Sequence, residues 1–243
     1  IFSKEKLSDS FCLFNWLNQD MKISIITVCC NSAETIRDTL VSVREQTYKD
    51  IEHIVIDGGS VDNTLEIVGA HGASFVKIVS EKDNGIYDAM NKGIKKATGD
   101  VVVFLNSDDF YTDPNILSEV VAVMKSENLD VVYGDVHYVR ANNKEKIVRR
   151  YRSKNFSIKK LGFGWMPAHP AFFVRKEIFL KYGAFSPDYY IAGDFEFMSR
   201  IFQHPEIRFQ YFPRYVVSMR LGGISTRGWK STWILNREIL RAC

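Results

Sequence analysis

Cysteine is scarce in this 243-residue chain: there are four, Cys12, Cys29, Cys30 and Cys243, with no CxxC pair and no histidine at finger distance. A structural zinc site or a disulfide framework needs more ligands and regular spacing, so neither is expected and a reducing cytosol is the simplest setting. Cys29 and Cys30 fall at the end of a strand pattern and read as packing residues. Long apolar runs are absent as well. Nothing approaches the roughly 20 residues of a membrane span, which argues against an integral membrane protein. The apolar stretch at 11–17 is short, polar-interrupted and without a basic start, so secretion is not expected. Two phosphate-binding signatures are also missing. No GxGxxG follows the first strand pattern, against a dinucleotide oxidoreductase, and no GxxxxGK[ST] provides a P-loop.

What is present is an ordinary globular composition, 46% apolar and 25% charged, in a length that suits one large domain or one domain with an appendage. The net charge of +3 hides a division. Residues 140–160 carry nine Lys/Arg against one acid, and 214–243 carry six against one, so the remainder has a net charge of −10. An acidic body with two basic segments suits a metal centre plus a surface for anionic ligands or lipid headgroups; solvated surface charge is the plainer reading. The small total charge and the lack of a recognition motif argue against nucleic acid.

From Ile23 onward, short β-branched runs alternate with helix-period segments, the signature of a parallel α/β sheet. Strands are expected at 23–30, 51–57, 75–79, 101–105 and 131–133. Helices are expected after Asn31, where Asn31 and Glu34 have capping-box spacing, near 63–68, over 86–97, and after Asp113-Pro114 through Met124. These five β units make a doubly wound pattern. Beyond Gly134 the alternation weakens. A basic strand or hairpin (137–151), a Gly-rich loop (161–167), a strand (171–174), a helix ending near Gly183, a helix opened by Asp194, a strand near 215–219 and a basic C-terminal helix follow. One composite domain is expected over 22–220, preceded by a 1–21 segment that reads either as extra sequence before a native start at Met21 or as an N-terminal helix using Phe11, Leu13, Phe14 and Trp16.

Open α/β sheets bind ligands beyond the carboxyl ends of their strands. Four polar clusters fall there: Thr27 to Asn31, Asp57 to Ser60, Glu81 to Gly85, and Asn106 to Asp109. The adjacent Asp108 and Asp109 are the sharpest feature, because two like charges beside a buried strand call for a compensating cation or donors. Mg²⁺ or Mn²⁺, shared with substrate phosphates, is the usual solution; a turn cap is the alternative. Asp57 before Gly58-Gly59 reads either as a ligand contact or as an ordinary turn.

The segments ISIITVCCNSAETIRDTLVSVREQTYKDIEHIVIDGGSVDNT and EKDNGIYDAMNKGIKKATGDVVVFLNSDD resemble family 2 glycosyltransferases of the GT-A fold, most of all bacterial enzymes that assemble cell-surface polysaccharides. The resemblance spans 22 to about 220. It implies a Rossmann-like, mostly parallel central sheet flanked by helices, with a donor half (22–135) and a less regular acceptor half (136–220). It implies that Thr27, Val28 and Asn31 line the nucleotide and that Asp57 contacts the base or ribose. Relatives carry two acids before Gly-Ser, where this chain has Asp57 and then Gly58. Asn84, Gly85 and Asn91 match the loop and helix start that close over the donor. Met90 replaces an Arg, so Lys82 or Lys92 is expected at the diphosphate.

Asn106-Ser107-Asp108-Asp109 matches the DXD-type element, with Asp109 the direct metal ligand and Asp108 on ribose, metal or metal-bound water. Asp194 resembles the general base; a helix N-terminal residue is its other reading. His169 falls near the acceptor or metal, and Trp165 reads either as a platform for an acceptor sugar or as packing. The implied activity is inverting transfer from a nucleotide-diphosphate sugar, a UDP-sugar by this reading, to a glycan or lipid-linked acceptor. A sugar-phosphate nucleotidyltransferase and a noncatalytic sugar-nucleotide-binding scaffold are the alternatives. The C-terminal residues Arg227, Lys230, Arg237 and Arg241, with Trp229, Trp233, Ile234 and Leu240, read either as a packed helix or as a peripheral contact with the inner face of the cell membrane.

Overall fold

The computed structural model describes residues 21–222 and 228–243. The expected N-terminal helix, Cys12 and Arg227 lie outside the described residues.

The first strand, β1 (Ile23–Cys29), is buried along its whole length, as a strand covered on both faces must be. β2 (Ile51–Asp57) is equally buried and runs parallel to it. Between them α1 (Ile36–Arg44) buries Ile36, Thr39, Leu40 and Val43, the i, i+3, i+4, i+7 face of a helix on a sheet. α2 (Thr64–His71) leads to β3 (Val76–Ser80), the half-exposed edge strand parallel to β2. α3 (Ile86–Lys96) returns the chain to β4 (Val101–Phe104), parallel to β1 on its other side. At Gly93 a Cβ would stand 2.4 Å from Ile26 Cγ2, so glycine lets α3 lie flat against the sheet.

β5 (Phe110–Tyr111) is short and is followed by α4 (Ile116–Ser126). Here the fifth β unit departs from the doubly wound expectation. β6 (Val131–Arg140) does not neighbour β4; β8 (Phe172–Arg175) is inserted between them, antiparallel to both. β6 forms the basic hairpin with β7 (Asn143–Tyr151) and pairs in parallel with β9 (Phe209–Arg220). The sheet order is β3-β2-β1-β4-β8-β6-β9-β5, with β7 on β6. The β3-β2-β1-β4 part of the sheet is therefore parallel and the rest mixed, in one continuous sheet. α5 (Lys176–Tyr182) and α6 (Gly193–Ile201) cover the face that also carries α3. α4 covers the other face. α7 (Gly228–Ala242) closes the chain, with Leu235, Ile239 and Ala242 packed on the first face.

Two helix starts differ from the sequence pattern. No capping box forms at Asn31 and Glu34: α1 begins at Ile36, and Asn31 adopts a left-handed φ of 51° in the loop before it. α4 begins at Ile116, beyond Asp113-Pro114, and its Leu117 N–H donates to the Gln46 side chain at 3.2 Å. Asp113 Oδ1 accepts the Asn115 N–H at 2.8 Å, as the Asp-Pro pattern predicts, so Gln46 adds a second acceptor to that cap. Of the adjacent cysteines, Cys29 is buried as expected, whereas Cys30 has left the strand and is exposed.

Candidate active site

The carboxyl ends of β1, β2 and β4 are tied together by polar contacts. Asn31 N–H donates to Ser60 Oγ (2.8 Å), and Asn31 Oδ1 accepts Val61 N–H (2.9 Å). Ser32 N–H donates to Thr64 Oγ1 at 2.7 Å, and Ser32 Oγ meets Ser107 Oγ at 2.9 Å. Within β1 itself Thr27 is fully buried, with Oγ1 against His53 Nε2 at 2.9 Å, and Val28 belongs to the core. Thr27 and Val28 are thus part of the sheet interior and do not line an open donor cleft as expected; of that trio only Asn31 reaches the surface.

After β4 the Asn106–Asp109 turn concentrates oxygen atoms in a dry place. Asp109 is 1% exposed and Asp108 is half-buried beside it. Burial, then the Asp108 charge, push the Asp109 carboxyl well above the usual carboxylate range. Asn106 Nδ2 donates to Asp109 Oδ2 at 3.3 Å, while Asn106 Oδ1 is buried without a partner. An orphaned amide oxygen beside an undercompensated buried carboxylate is what a hard divalent cation, which takes oxygen ligands, would satisfy. Among the described residues no group of three or more His, Cys, Asp or Glu is placed to hold a metal. The residues therefore fit an ion whose remaining ligands come from water and substrate.

The turn is braced by a residue the sequence reading missed. Arg220, buried at the end of β9, donates from Nη1 to the Asp108 carbonyl at 2.7 Å and from Nη2 to Asp38, with its guanidinium 5.2 Å from the Phe110 ring centroid. Burial would raise the Asp38 carboxyl, but Lys144 and Arg220 together hold it below its ordinary value. Arg220 is 112 residues from Asp108 in sequence, so no local pattern marks it.

After β2, Asp57 is fully buried and occupied by the protein. It accepts the N–H groups of Gly59 (3.2 Å) and Ser60 (3.1 Å) and the hydroxyls of Ser60 (2.5 Å) and Ser80 (2.7 Å). Burial alone would raise its carboxyl, but these donors outweigh it and lower it. The expected base contact from Asp57 is therefore not what the geometry provides: its carboxylate organises the β2 turn. Next to it, a Cβ on Gly58 would lie 2.4 Å from Asp83 Oδ2, and Lys82 Cγ packs over Gly59. Lys82 is exposed; the Lys92 ammonium instead donates to the Lys82 carbonyl and pairs with Glu81 and Asp88.

Asn84 and Gly85 lie at the start of α3, where Gly85 has φ 110° and its N–H donates to Asp83 Oδ1 at 3.0 Å. Together with Ile86, Tyr87 and Asp88 they face Pro187, Asp188, Tyr189 and Tyr190 across a cavity of about 260 Å³. Asp194 opens α6 as expected. Its Oδ1 accepts Phe195 N–H at 2.8 Å and lies 3.2 Å from the Tyr87 hydroxyl, which donates to the Ile191 carbonyl at 2.5 Å. A Cβ on Gly193 would meet the Tyr87 ring at 2.8 Å, so glycine admits that ring. Glu238 of α7 accepts N–H groups of Tyr190, Ile191 and Ala192 at 2.7 to 2.9 Å, fixing the approach to Asp194. Tyr87 and Glu238 were not singled out by the sequence.

Three other expectations resolve into packing. Asn91 lies within α3, and both ends of its amide hold the Phe185 backbone, at 2.8 and 3.0 Å, not the Asn84–Gly85 segment. Trp165 stacks with Tyr151 and Phe156 and carries the Lys160 ammonium 5.0 Å from its ring centroid, the packing alternative. His169 stacks on Phe104 with centroids 5.3 Å apart and packs edge-on to Phe185, and its Nε2 is buried without a partner. Burial lowers its pKa, against the opposing pull of the Asp194 charge.

Comparison with known proteins places this geometry. The model described as glycosyl transferase family 2 matches residues 24–183. The PGL/p-HBAD biosynthesis glycosyltransferase of Mycobacterium tuberculosis is 32% identical over 224 residues, covering 90% of this chain and 82% of that protein. The cholesterol galactosyltransferase of Borreliella burgdorferi is 35% identical over 129 residues, 51% of this chain and 36% of that protein. Two solved structures share the fold. S. aureus TarS 1-349 in complex with UDP-GlcNAc gives a TM-score of 0.71 at 19% identity, over 91% of this chain and 66% of that one. The mannosyltransferase PcManGT from Pyrobaculum calidifontis, in complex with GDP-Man and Mn²⁺, gives 0.64 at 19%, over 96% and 69%. With the family model spanning well over half its length and a relative nearly a third identical along most of it, this GT-A chain belongs to glycosyl transferase family 2.

Proposed function

We propose that this glycosyltransferase moves a sugar from a UDP-sugar to a hydroxyl of a glycan or lipid-linked acceptor in cell-surface polysaccharide assembly, with inversion at the anomeric carbon. The observation that carries the reading is the dry oxygen cluster of Asn106, Asp108 and Asp109 at the sheet edge, in a fold whose candidate base, Asp194, faces the same α3 segment as the donor loop. The TarS structure with UDP-GlcNAc and the PcManGT structure with GDP-Man and Mn²⁺ support a nucleotide-sugar donor and a divalent ion by analogy of fold. Residues 22–135 form the donor half of this reading and 136–220 the acceptor half.

Asp109, Asp108 and Asn106 would hold Mn²⁺ or Mg²⁺, which when bound supplies Lewis-acid neutralisation of the leaving diphosphate. Asn84 and Gly85 offer the start of α3 to the donor, and Lys82, exposed over Gly59, is within the same loop. Asp194 takes the proton from the acceptor hydroxyl as the oxygen attacks the anomeric carbon. Tyr87 holds that carboxylate. A single displacement assisted by one base inverts the configuration. On α7, the 60% exposed Trp233 and 79% exposed Leu240, beside Arg237 and Arg241, are the surface we assign to a membrane bearing the acceptor. Vesicle co-sedimentation unchanged by Trp233→Ala with Leu240→Ala would remove that part.

The test is UDP release from a panel of UDP-sugars with Mn²⁺, with and without lipid-linked glycan, in the wild-type protein and Asp194→Asn. The reading predicts acceptor-stimulated release that falls on the order of 10²-fold or more in the variant, with nucleotide affinity kept. Nucleotide binding with no release from any donor would favour the scaffold alternative.

A further inference from the structure

The nine Lys and Arg of residues 140–160 gather on the β6–β7 hairpin and the turn that follows it. Eight of them are exposed, and among the described residues only Lys144 pairs with an acid. Two others are held without being neutralised. The Arg149 guanidinium lies 5.4 Å from the Tyr138 ring centroid and 5.8 Å from that of Tyr151, Tyr151 stacks on Trp165, and the Lys160 ammonium lies over Trp165. Ring faces fix these cations in place while leaving their charge available.

Apolar side chains stand among the cations. On β7, Ile147 and Val148 are exposed between Lys146 and Arg149. In the 3₁₀ turn Ile158–Phe163, Ile158 is exposed beside Lys159, and Phe163 is 89% exposed. That turn is braced. Leu161 is buried beneath it, the Gly164 N–H donates to the Leu161 carbonyl at 2.8 Å, and Gly164, at φ 72°, turns the chain back toward Trp165. Single exposed apolar residues are ordinary. Four of them interleaved with uncompensated cations match the interface of an anionic bilayer, where cations meet headgroups and apolar side chains enter the acyl boundary. A nucleic acid would use the cations and leave the aliphatic tips in water.

We infer that the β6–β7 hairpin and the 158–163 turn dock on an anionic phospholipid bilayer. This surface is distinct from the α7 residues assigned above and adjoins them: a Cβ on Gly164 would stand 3.1 Å from Ile239 Cγ2 of α7, next to the exposed Leu240. The hairpin is also tied to the candidate site. Lys144, beside the hairpin turn, donates to Asp38 at 2.8 Å, and Arg220 binds both Asp38 and the Asp108 carbonyl. Docking through the hairpin therefore holds the Asn106–Asp109 turn at a fixed place relative to the bilayer, where a lipid-linked acceptor would be met. That consequence rests on the acceptor reading above; the docking itself does not.

The experiment is co-sedimentation of the full chain with vesicles of phosphatidylcholine alone and of equal parts phosphatidylglycerol and phosphatidylcholine. Three proteins are compared: wild type, a variant combining Lys146→Gln, Arg150→Gln, Lys154→Gln and Lys159→Gln, and Phe163→Ala, with circular dichroism confirming each fold. Wild type is expected on the anionic vesicles only, with binding that falls as salt rises. The four-site variant is expected to lose on the order of 10²-fold in partition coefficient, and Phe163→Ala about tenfold. UDP release without acceptor is expected to be equal in all three, so that a failure of donor chemistry is told apart from a failure of docking. A wild type that ignores the anionic vesicles, or binds both compositions equally, overturns the proposal. So does a four-site variant that binds as wild type, which leaves α7 as the membrane contact. Full-strength binding by Phe163→Ala marks a plain polyanion site, open to nucleic acid, and overturns it as well.

Discussion

The Tyr87 hydroxyl lies 3.2 Å from Asp194 Oδ1, joining the first turn of α3, which follows the donor loop, to the first turn of α6, which carries the candidate base. The phenol is 5% exposed and its one proton is shared between Asp194 Oδ1 and the Ile191 carbonyl. The contact therefore fixes where the carboxylate stands relative to the donor loop. Tyr87→Phe removes it with little change of shape. Loss of a hydrogen bond worth about 1 kcal/mol predicts turnover lowered roughly 5- to 10-fold, with UDP affinity within twofold of wild type. Equal turnover in the variant would show that Asp194 is held by other contacts.

Asn91 is predicted to matter for stability and not for donor binding. Its amide satisfies both the N–H and the C=O of Phe185, a residue buried against Tyr87 and Phe104. Asn91→Ala removes two hydrogen bonds and strands two backbone groups, at a cost of about 2 kcal/mol or more. Urea denaturation is expected to show the loss, with faster amide exchange over residues 184–190 and unchanged UDP affinity. A wild-type midpoint with weakened UDP binding would restore Asn91 to the donor site.

Much of this arrangement was legible in the sequence where the cause is local. The β-branched runs at Ile23, Ile51 and Val101 form buried strands because their apolar residues are continuous, and Asn106–Asp109 and Asp194 fall at element ends because the periodic pattern stops there. What was not legible depends on partners far along the chain. Asp57 is saturated by Ser80 from another strand as well as by its own turn. Gln46 joins Asp113 in capping the start of α4, and only Asp113 is marked by the local sequence. The antiparallel β8 between β4 and β6 pairs with strands far from it along the chain, which no period in the sequence encodes.

His53 sets an acid limit on stability. It is 1% exposed within β2, its only hydrogen bond among the described residues runs to Thr27, and burial lowers its pKa to about 4 from an ordinary 6.5. The native state therefore declines a proton that the unfolded chain accepts below pH 6.5. Stability from this group is complete above that pH and is lost as pH falls toward 4, a change on the order of 3 kcal/mol. His53→Gln is expected to flatten the fall in unfolding free energy between pH 6.5 and 4. An unaltered slope would place the effect on other groups.

Asp109 is predicted to cost stability when no metal is present. Its carboxylate is buried next to Asp108, and both influences act against its charge. Asp109→Asn keeps the shape and removes the repulsion, so thermal denaturation in chelator should show a raised Tm. Added Mn²⁺ should stabilise the wild type, by mass action on a native-state site, and leave the variant unmoved. A variant that melts lower than wild type in chelator would mean that the carboxylate is already compensated by the protein.

The central claim, a nucleotide-sugar site completed by an ion on the Asn106–Asp109 turn, is tested most directly by calorimetric titration of UDP with Mn²⁺ and then with chelator, in wild type and Asp109→Ala. The account predicts binding by the wild type that weakens at least tenfold in chelator, about 1.4 kcal/mol, and binding by the variant that is weak in both conditions. Equal UDP affinity with metal and with chelator, or full affinity in Asp109→Ala, would contradict it.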